Sequence, residues 1–190
     1  IEYSVFPPVS EQLQTLTISN TGGLPLVVTL STDNGGEITV TDINGNVYQT
    51  VEIGEQLWMK ENLKVTHYND GTEIATGYIN EDWMNLSLGA YAVYDNNESS
   101  ADTYGYLYNW DAVDDDRGVC PENWHIATDE EYTTLTAYLG GENVAGVMMK
   151  DNLNWDGTNE SGFTGLPGGY RGDNPANYYS SIGFYGYFWS

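Results

Sequence analysis

Five basic residues, two histidines and one cysteine are all that the 190 residues contain, and each scarcity closes off a kind of function. Against 28 Asp and Glu, the five Lys and Arg leave a formal net charge of −23. Such a field repels phosphate backbones and anionic lipid headgroups. It therefore speaks against nucleic acid as a partner and leaves neutral ligands such as sugars, and divalent cations, as compatible ones. Zinc lacks its usual ligand spacings, since neither C-x-x-C nor H-E-x-x-H occurs. No apolar run approaches the roughly 18 residues of a membrane span, so no span is expected. No basic, then apolar, then small-residue pattern opens the sequence, which leaves any export signal outside it. The lone thiol, Cys120, would be unremarkable inside a cell, but in an exported protein it calls for a partner.

What is abundant reads as a folded, turn-rich protein. Apolar residues make up 40%, aromatic ones 14%, and there are 22 glycines, far from the composition of an acidic disordered chain. LQTLTISN (13–20) is β-prone and is followed by TGG and a second apolar stretch, LPLVVTLST, which together predict a hairpin. STDNGGE (31–37) is a linker by its composition. A meander is expected next, with strands over 38–42, 46–52 and 56–60 and turns at Asn44-Gly45 and Gly54; Val47, Val51, Ile53, Leu57 and Trp58 supply its apolar positions. DINGN at its first turn imitates a calcium loop. Counted from Asp42, however, the EF-hand glycine and glutamate positions hold Val47 and Ile53, so it is read as a turn. ATDEEYTTLTAYLGG (127–141) predicts a helix: Thr128 and Glu131 form a capping box, Asp129 and Glu130 complement the dipole, and Gly140 closes it. Tyr132, Leu135 and Leu139 then share one face.

With these elements placed, TVTDINGNVYQTVEIGEQLWMKENLKVTHYNDGTEI, YGYLYNWDAV, VCPENWHIATDEEYTTLTAYLGG, NESGFTGLPGGYRG and GYFWS follow in order the pattern of the Fibrobacter succinogenes major paralogous domain, from about residue 37 to 190. The resemblance implies an exported or surface-anchored bacterial protein and assigns no biochemical role. It also implies that the closing GFYGYFWS (183–190) is an interior strand, because in that family further strands and a cysteine follow it, and that this later cysteine would partner Cys120. CPENWHIATDEEYTTL in addition resembles the helix entry of C-type-lectin-like and formylglycine-generating proteins, with Ala127 in place of the usual Pro. LTISNTGGLPLVV resembles a strand pair of an immunoglobulin-like sandwich. The expected fold is α+β and C-type-lectin-like, a loop-rich twisted antiparallel sheet with one or two helices. It would occupy residues 36–190, preceded over 1–35 by a hairpin from an immunoglobulin-like sandwich.

The candidate sites follow from residue chemistry. Cys120 with His125 could in principle make a nucleophile and base, but a structural cysteine beside a capped helix is the favoured reading, and no enzyme is expected. Asp111, Asp114, Asp115 and Asp116 cluster hard oxygens suited to calcium, as does the stretch 95–102; the alternative is a solvated acidic loop. Trp83 and Trp155, in loop-like surroundings, are the candidates for stacking on sugar, whereas Trp110, Trp124 and Trp189 are read as core. The RGD at 171–173 is explained as a turn, and Asn85, Asn97 and Asn159 open sequons that matter only in a glycosylating cell. The function expected is an extracellular structural or adhesive surface protein, a homo-oligomer or fibre subunit completed by a neighbouring chain. The alternative is a carbohydrate-binding module that meets polysaccharide through exposed aromatics, with or without calcium.

Overall fold

The computed structural model describes residues 15–18, 26–29, 38–172 and 178–190, which fall into two compact units, Ile1–Thr39 and Val40–Ser190. In the first, β1 (Thr15–Ile18) and β2 (Leu26–Thr29) pair antiparallel, with Thr15 opposite Thr29 and Ile18 opposite Leu26. This is the hairpin expected around TGG. The stretch read as a linker, 31–37, lies outside the described residues.

The meander is present as a three-stranded sheet ordered β3 (Thr39–Thr41), β4 (Val47–Ile53) and β5 (Gln56–Met59). Gly45 and Gly54 turn the chain with φ of 84° and 66°, values that favour a residue without Cβ. Two of the expected core positions point outward instead: Val47 is 60% exposed and Leu57 is 37% exposed. The reason is that β4 changes its buried face along its length. Tyr48 and Thr50 are buried on one side near its start, and Ile53 is buried on the other side at its end. Because side chains alternate across a strand, Val47 shares the face of Ile53 but lies at the other, exposed end of β4, while Leu57 stands opposite the exposed Glu52.

The turn before β4 is built from polar side chains that do structural work. Asp42, almost fully buried, accepts the backbone N–H groups of Asn44 and Asn46 through Oδ1, each at 2.9 Å. Its Oδ2 accepts Asn46 Nδ2 at 2.8 Å and the Tyr48 hydroxyl at 2.6 Å. The same Tyr48 oxygen accepts the Lys64 N–H at 3.0 Å, Asn46 Nδ2 donates to the Lys64 carbonyl, and Asn44 Oδ1 accepts the Thr66 N–H. Residues 64–66 belong to no ladder strand, so side chains of the turn stand in for a neighbouring strand, and the buried main chain is still satisfied. The calcium-like DINGN is thus a hydrogen-bonding cradle for another stretch of its own chain.

The long helix forms as expected: α4 (Asp129–Tyr138) carries the capping box between Thr128 and Glu131. His125 adds a contact that the sequence did not suggest, its Nε2 lying 2.8 Å from Glu131 Oε1 and 2.9 Å from Oε2. One carboxylate therefore holds both the helix start and the segment entering it. After α4 the chain turns into α5 (Glu142–Met149). Leu135 of α4, Leu139 just past its end and Ala145 of α5 meet Ile53 and Trp58 of the meander and Phe163, with Tyr132 packed alongside. Trp58 lies 5.2 Å from the Tyr132 ring and 5.6 Å from Phe163. Each such large apolar side chain taken from water contributes about 1.5–3 kcal/mol.

The architecture is α+β, but it departs from one continuous sheet with one or two helices. Among the described residues of this unit the strands form separate small antiparallel sheets: the meander, β6 (Tyr91–Ala92) with β7 (Leu107–Tyr108), and β8 (Gly168–Arg171) with β9 (Tyr179–Ile182). Three short helices, α1 (Asn80–Trp83), α2 (Ser99–Tyr104) and α3 (Trp110–Val113), accompany α4 and α5. The abundant Gly, Asn and Asp end each element early, and burial is divided accordingly. A second cluster gathers Val65, Tyr68, Ile74, Ala112 and Val119, and a third Ala92, Tyr94 and Tyr179.

Two outcomes test this account. Tyr48→Phe keeps the ring but strips one bond from the buried Asp42 carboxylate and leaves the Lys64 N–H without its acceptor; we expect a loss of about 2 kcal/mol, or roughly 4–8 °C in Tm, by thermal unfolding, with the exposed-residue control Glu52→Gln unchanged. The Glu131 carboxyl is held below the usual range by the Thr128 N–H and then by His125 and the Thr128 hydroxyl, against partial burial. A depressed folded pKa means that this stabilisation is present above the unfolded carboxylate pKa and lost as pH falls through the folded one. Glu131→Gln should therefore lower Tm at neutral pH and lessen its fall in acid; parallel acid limbs would refute the cap's role.

Candidate functional site

The four aspartates of the acidic loop have separate surroundings in the structure. Asp115 is engaged by Arg117, whose Nη2 lies 2.7 Å from Oδ2 and whose Nε lies 2.8 Å from Oδ1. Arg117 holds the Asp115 carboxyl down to about 2. The guanidinium also covers the Tyr68 ring at 3.8 Å and donates to the Thr72 hydroxyl, so this aspartate belongs to a surface clasp over the second core cluster. Asp111 sits in the first turn of α3, where a negative charge suits the helix dipole, and Asp114 and Asp116 are exposed. Among the described residues no three His, Cys, Asp or Glu side chains are grouped to hold a metal ion. The stretch 95–102 is likewise taken up by a helix start: Asn97 Oδ1 accepts the Ser99 N–H and hydroxyl at the head of α2.

Cys120 is half-buried against the second core cluster, and burial pushes its thiol up to about 11. A reactive cysteine needs the opposite shift. The His125 ring is occupied by Glu131. Among the described contacts none joins Cys120 to His125, whose Nε2 faces Glu131.

Both tryptophans picked for sugar stacking are half-buried and already have a partner on the ring. Trp83 carries the Arg171 guanidinium at 4.2 Å, and Trp155 carries Lys150 Nζ at 4.8 Å while its Nε1 donates to the Phe184 carbonyl at 2.8 Å. Arg171 is held in turn, lying 5.0 Å from the Tyr179 ring and donating to the Tyr78 carbonyl and Asn80 Oδ1. The arginine of the RGD triplet is therefore part of the fold, and the aspartate lies outside the described residues.

The exposed aromatic chemistry lies elsewhere, in residues read as core. Residues 183–190 form no ladder strand; a single parallel bridge joins Gly186 to Gly169. Their main chain is nonetheless fastened, by Gly169 N–H to the Tyr185 carbonyl and Trp155 Nε1 to the Phe184 carbonyl, and the Trp189 side chain is held by its Nε1 donating to the Tyr108 carbonyl. The side chains face water: Phe184 is 74% exposed, Tyr185 61%, Tyr187 57% and Trp189 44%. Trp110, also exposed, meets Trp189 edge-on at 5.6 Å, and Tyr170 meets Tyr187 at 5.0 Å. Only Phe188 reaches toward the first core cluster, edge-on to Phe163 at 6.0 Å. The result is a ledge of aromatic rings on a pinned backbone. The signal in the sequence was the run of aromatics itself.

What fold and site define is an acidic α+β domain whose distinctive surface chemistry is aromatic. Residues 51–190 match the family model of the Fibrobacter succinogenes major domain, and the chain belongs to that family. The match starts within β4, later than the position near residue 37 expected from the motifs. No curated protein and no solved structure gives a significant match.

The state of Cys120 is directly measurable. With its thiol held near 11, the thiolate fraction at neutral pH should be on the order of a hundredfold below that of a free cysteine. Iodoacetamide should label the native protein correspondingly more slowly than the urea-unfolded one. Equal rates in the two states would show that the thiol is not sequestered.

Proposed function

We propose that this chain is an extracellular structural or adhesive protein of a bacterial surface, without enzymatic activity, and that it associates with neighbouring copies through the aromatic ledge of residues 184–189. The carrying observation is the combination of fixed main chain and exposed rings. Large contiguous apolar patches are uncommon on monomers and mark interaction surfaces, and aromatic side chains dominate the energetics of interfaces while losing little conformational freedom.

The net charge of −23 fits this setting. It keeps the protein soluble at low salt by repulsion between copies, and screening by salt at physiological strength lets the ledge make contact. We further assign Val40–Ser190 to the C-type-lectin-like folds, on the capped helix entered through CPENWHIAT and the loop-rich small sheets, and the hairpin β1–β2 to an immunoglobulin-like module.

Sedimentation velocity across a series of protein and salt concentrations tests the association. The wild type should grow beyond its 21.1 kDa monomer as either rises. The variant Phe184→Ser/Tyr185→Ser/Tyr187→Ser should remain monomeric with nearly the same Tm, since surface substitutions usually change stability by no more than about 0.5 kcal/mol. A wild type that stays monomeric in high salt, or a variant that assembles equally well, refutes the proposal.

A further inference from the structure

A groove separate from the ledge runs beside β6 and is lined by Thr76, Tyr91, Val93, Asn96, Glu98 and Arg171, with a volume of about 240 Å³. Its lining is rigid for a surface feature. The Tyr91 ring is stacked on Tyr106 at 4.6 Å, and the Thr76 hydroxyl donates to the Tyr91 carbonyl at 3.0 Å. Arg171 is clamped between Trp83 and Tyr179 and tied to the main chain at Tyr78; its Nε is buried without a hydrogen-bond partner. Asn96 Oδ1 accepts the Tyr179 hydroxyl, which orients the amide and leaves its NH₂ end for a second partner. Asp95 and Asn96 both adopt φ of 53°, which turns the chain at the groove's edge with residues that tolerate the left-handed region.

The geometry points to a binding site for one ring of a neutral saccharide. Each hydroxyl of a sugar both donates and accepts, so neighbouring hydroxyls match a carboxylate acceptor, Glu98, set among the donors Asn96 and Arg171. Tyr91, half-buried, offers apolar surface to the C–H face. Other ligand classes fit less well. An anion would meet Glu98 and the field of a chain with net charge −23. A metal ion would find one carboxylate, whereas calcium takes six to eight oxygens. A purely apolar ligand would strand the polar lining. The volume lies below the roughly 300–1,000 Å³ of drug-sized sites, which suits one ring with the rest of a glycan outside. An adhesive protein would have use for such a site, but the inference stands on the groove alone and is independent of the ledge.

Amide NMR titration with the methyl glycosides of glucose, galactose, mannose and N-acetylglucosamine, and with glucuronic acid as the charged control, provides the test. At least one neutral glycoside should shift the amides of Thr76, Tyr91, Asn96 and Glu98 saturably, more strongly than glucuronic acid, and equally with EDTA present. Glu98→Gln and Asn96→Asp should each weaken binding about tenfold or more, as the loss of a hydrogen bond to a charged group does, with unchanged Tm. Asn96→Asp keeps a residue tolerant of positive φ and retains the acceptor for Tyr179, so its fold is preserved. Absence of shifts with every neutral glycoside, unaltered binding in both variants, stronger binding of the uronate, or dependence on a metal would each overturn the assignment. Shifts confined to residues 184–189 would place any sugar on the ledge and would also count against the groove. The ledge variant Phe184→Ser/Tyr185→Ser/Tyr187→Ser should bind as the wild type does, which separates failure of this site from failure of association.

Discussion

A carboxylate withdrawn from water has to be surrounded by hydrogen-bond donors, and the way Asp42 meets that demand organises much of this molecule. Two backbone N–H groups, the Asn46 amide and the Tyr48 hydroxyl all converge on it. The same turn then reaches out through Asn44, Asn46 and Tyr48 to the main chain of residues 64–66. From the other side, Tyr108 donates to the Val65 carbonyl at 2.7 Å. Burial and then the Asp42 carboxylate hold the Tyr48 phenol well above its ordinary range, and burial does the same to Tyr108, so both hydroxyls keep their protons and remain donors. Val65 and Tyr68 can then enter the second core cluster from a segment with no ladder of its own.

That device suits a chain so rich in glycine and asparagine. Short strands cannot satisfy one another over long ladders, so tyrosine, asparagine and tryptophan side chains take over main-chain partners across the fold. Tyr108 illustrates the economy of the arrangement, because its hydroxyl secures Val65 while its carbonyl accepts Trp189 Nε1. The polar cradle at the meander is in this way linked to the fixing of the aromatic ledge. Tyrosine is well chosen for such a role: the ring fills core volume and the hydroxyl supplies a bond at its far end.

The acidic surface and the aromatic surface have complementary parts in the proposed function. Charge sets when two copies approach and rings set what they gain on contact, so association responds to ionic strength. The groove beside β6 differs from both in being half polar and built on clamped side chains. Its arginine is the one that the RGD triplet brought to notice, and its real surroundings are Trp83 and Tyr179.

Local features of the fold were legible in the sequence because they depend on neighbours along the chain. The capping box at Thr128, the face of Tyr132, Leu135 and Leu139, the turns at Gly45 and Gly54, and the α+β class all follow from spacing and propensity. Tertiary structure decided the rest. It turned Val47 and Leu57 outward, divided the strands into small sheets, and committed Trp83 to Arg171 and Trp155 to the Phe184 carbonyl, partners distant in sequence. It also placed the rings of residues 184–189 in water while fastening their backbone. A sequence states which groups are apolar or charged; which of them find partners, and which are left to meet something else, is determined only when distant segments occupy the same space.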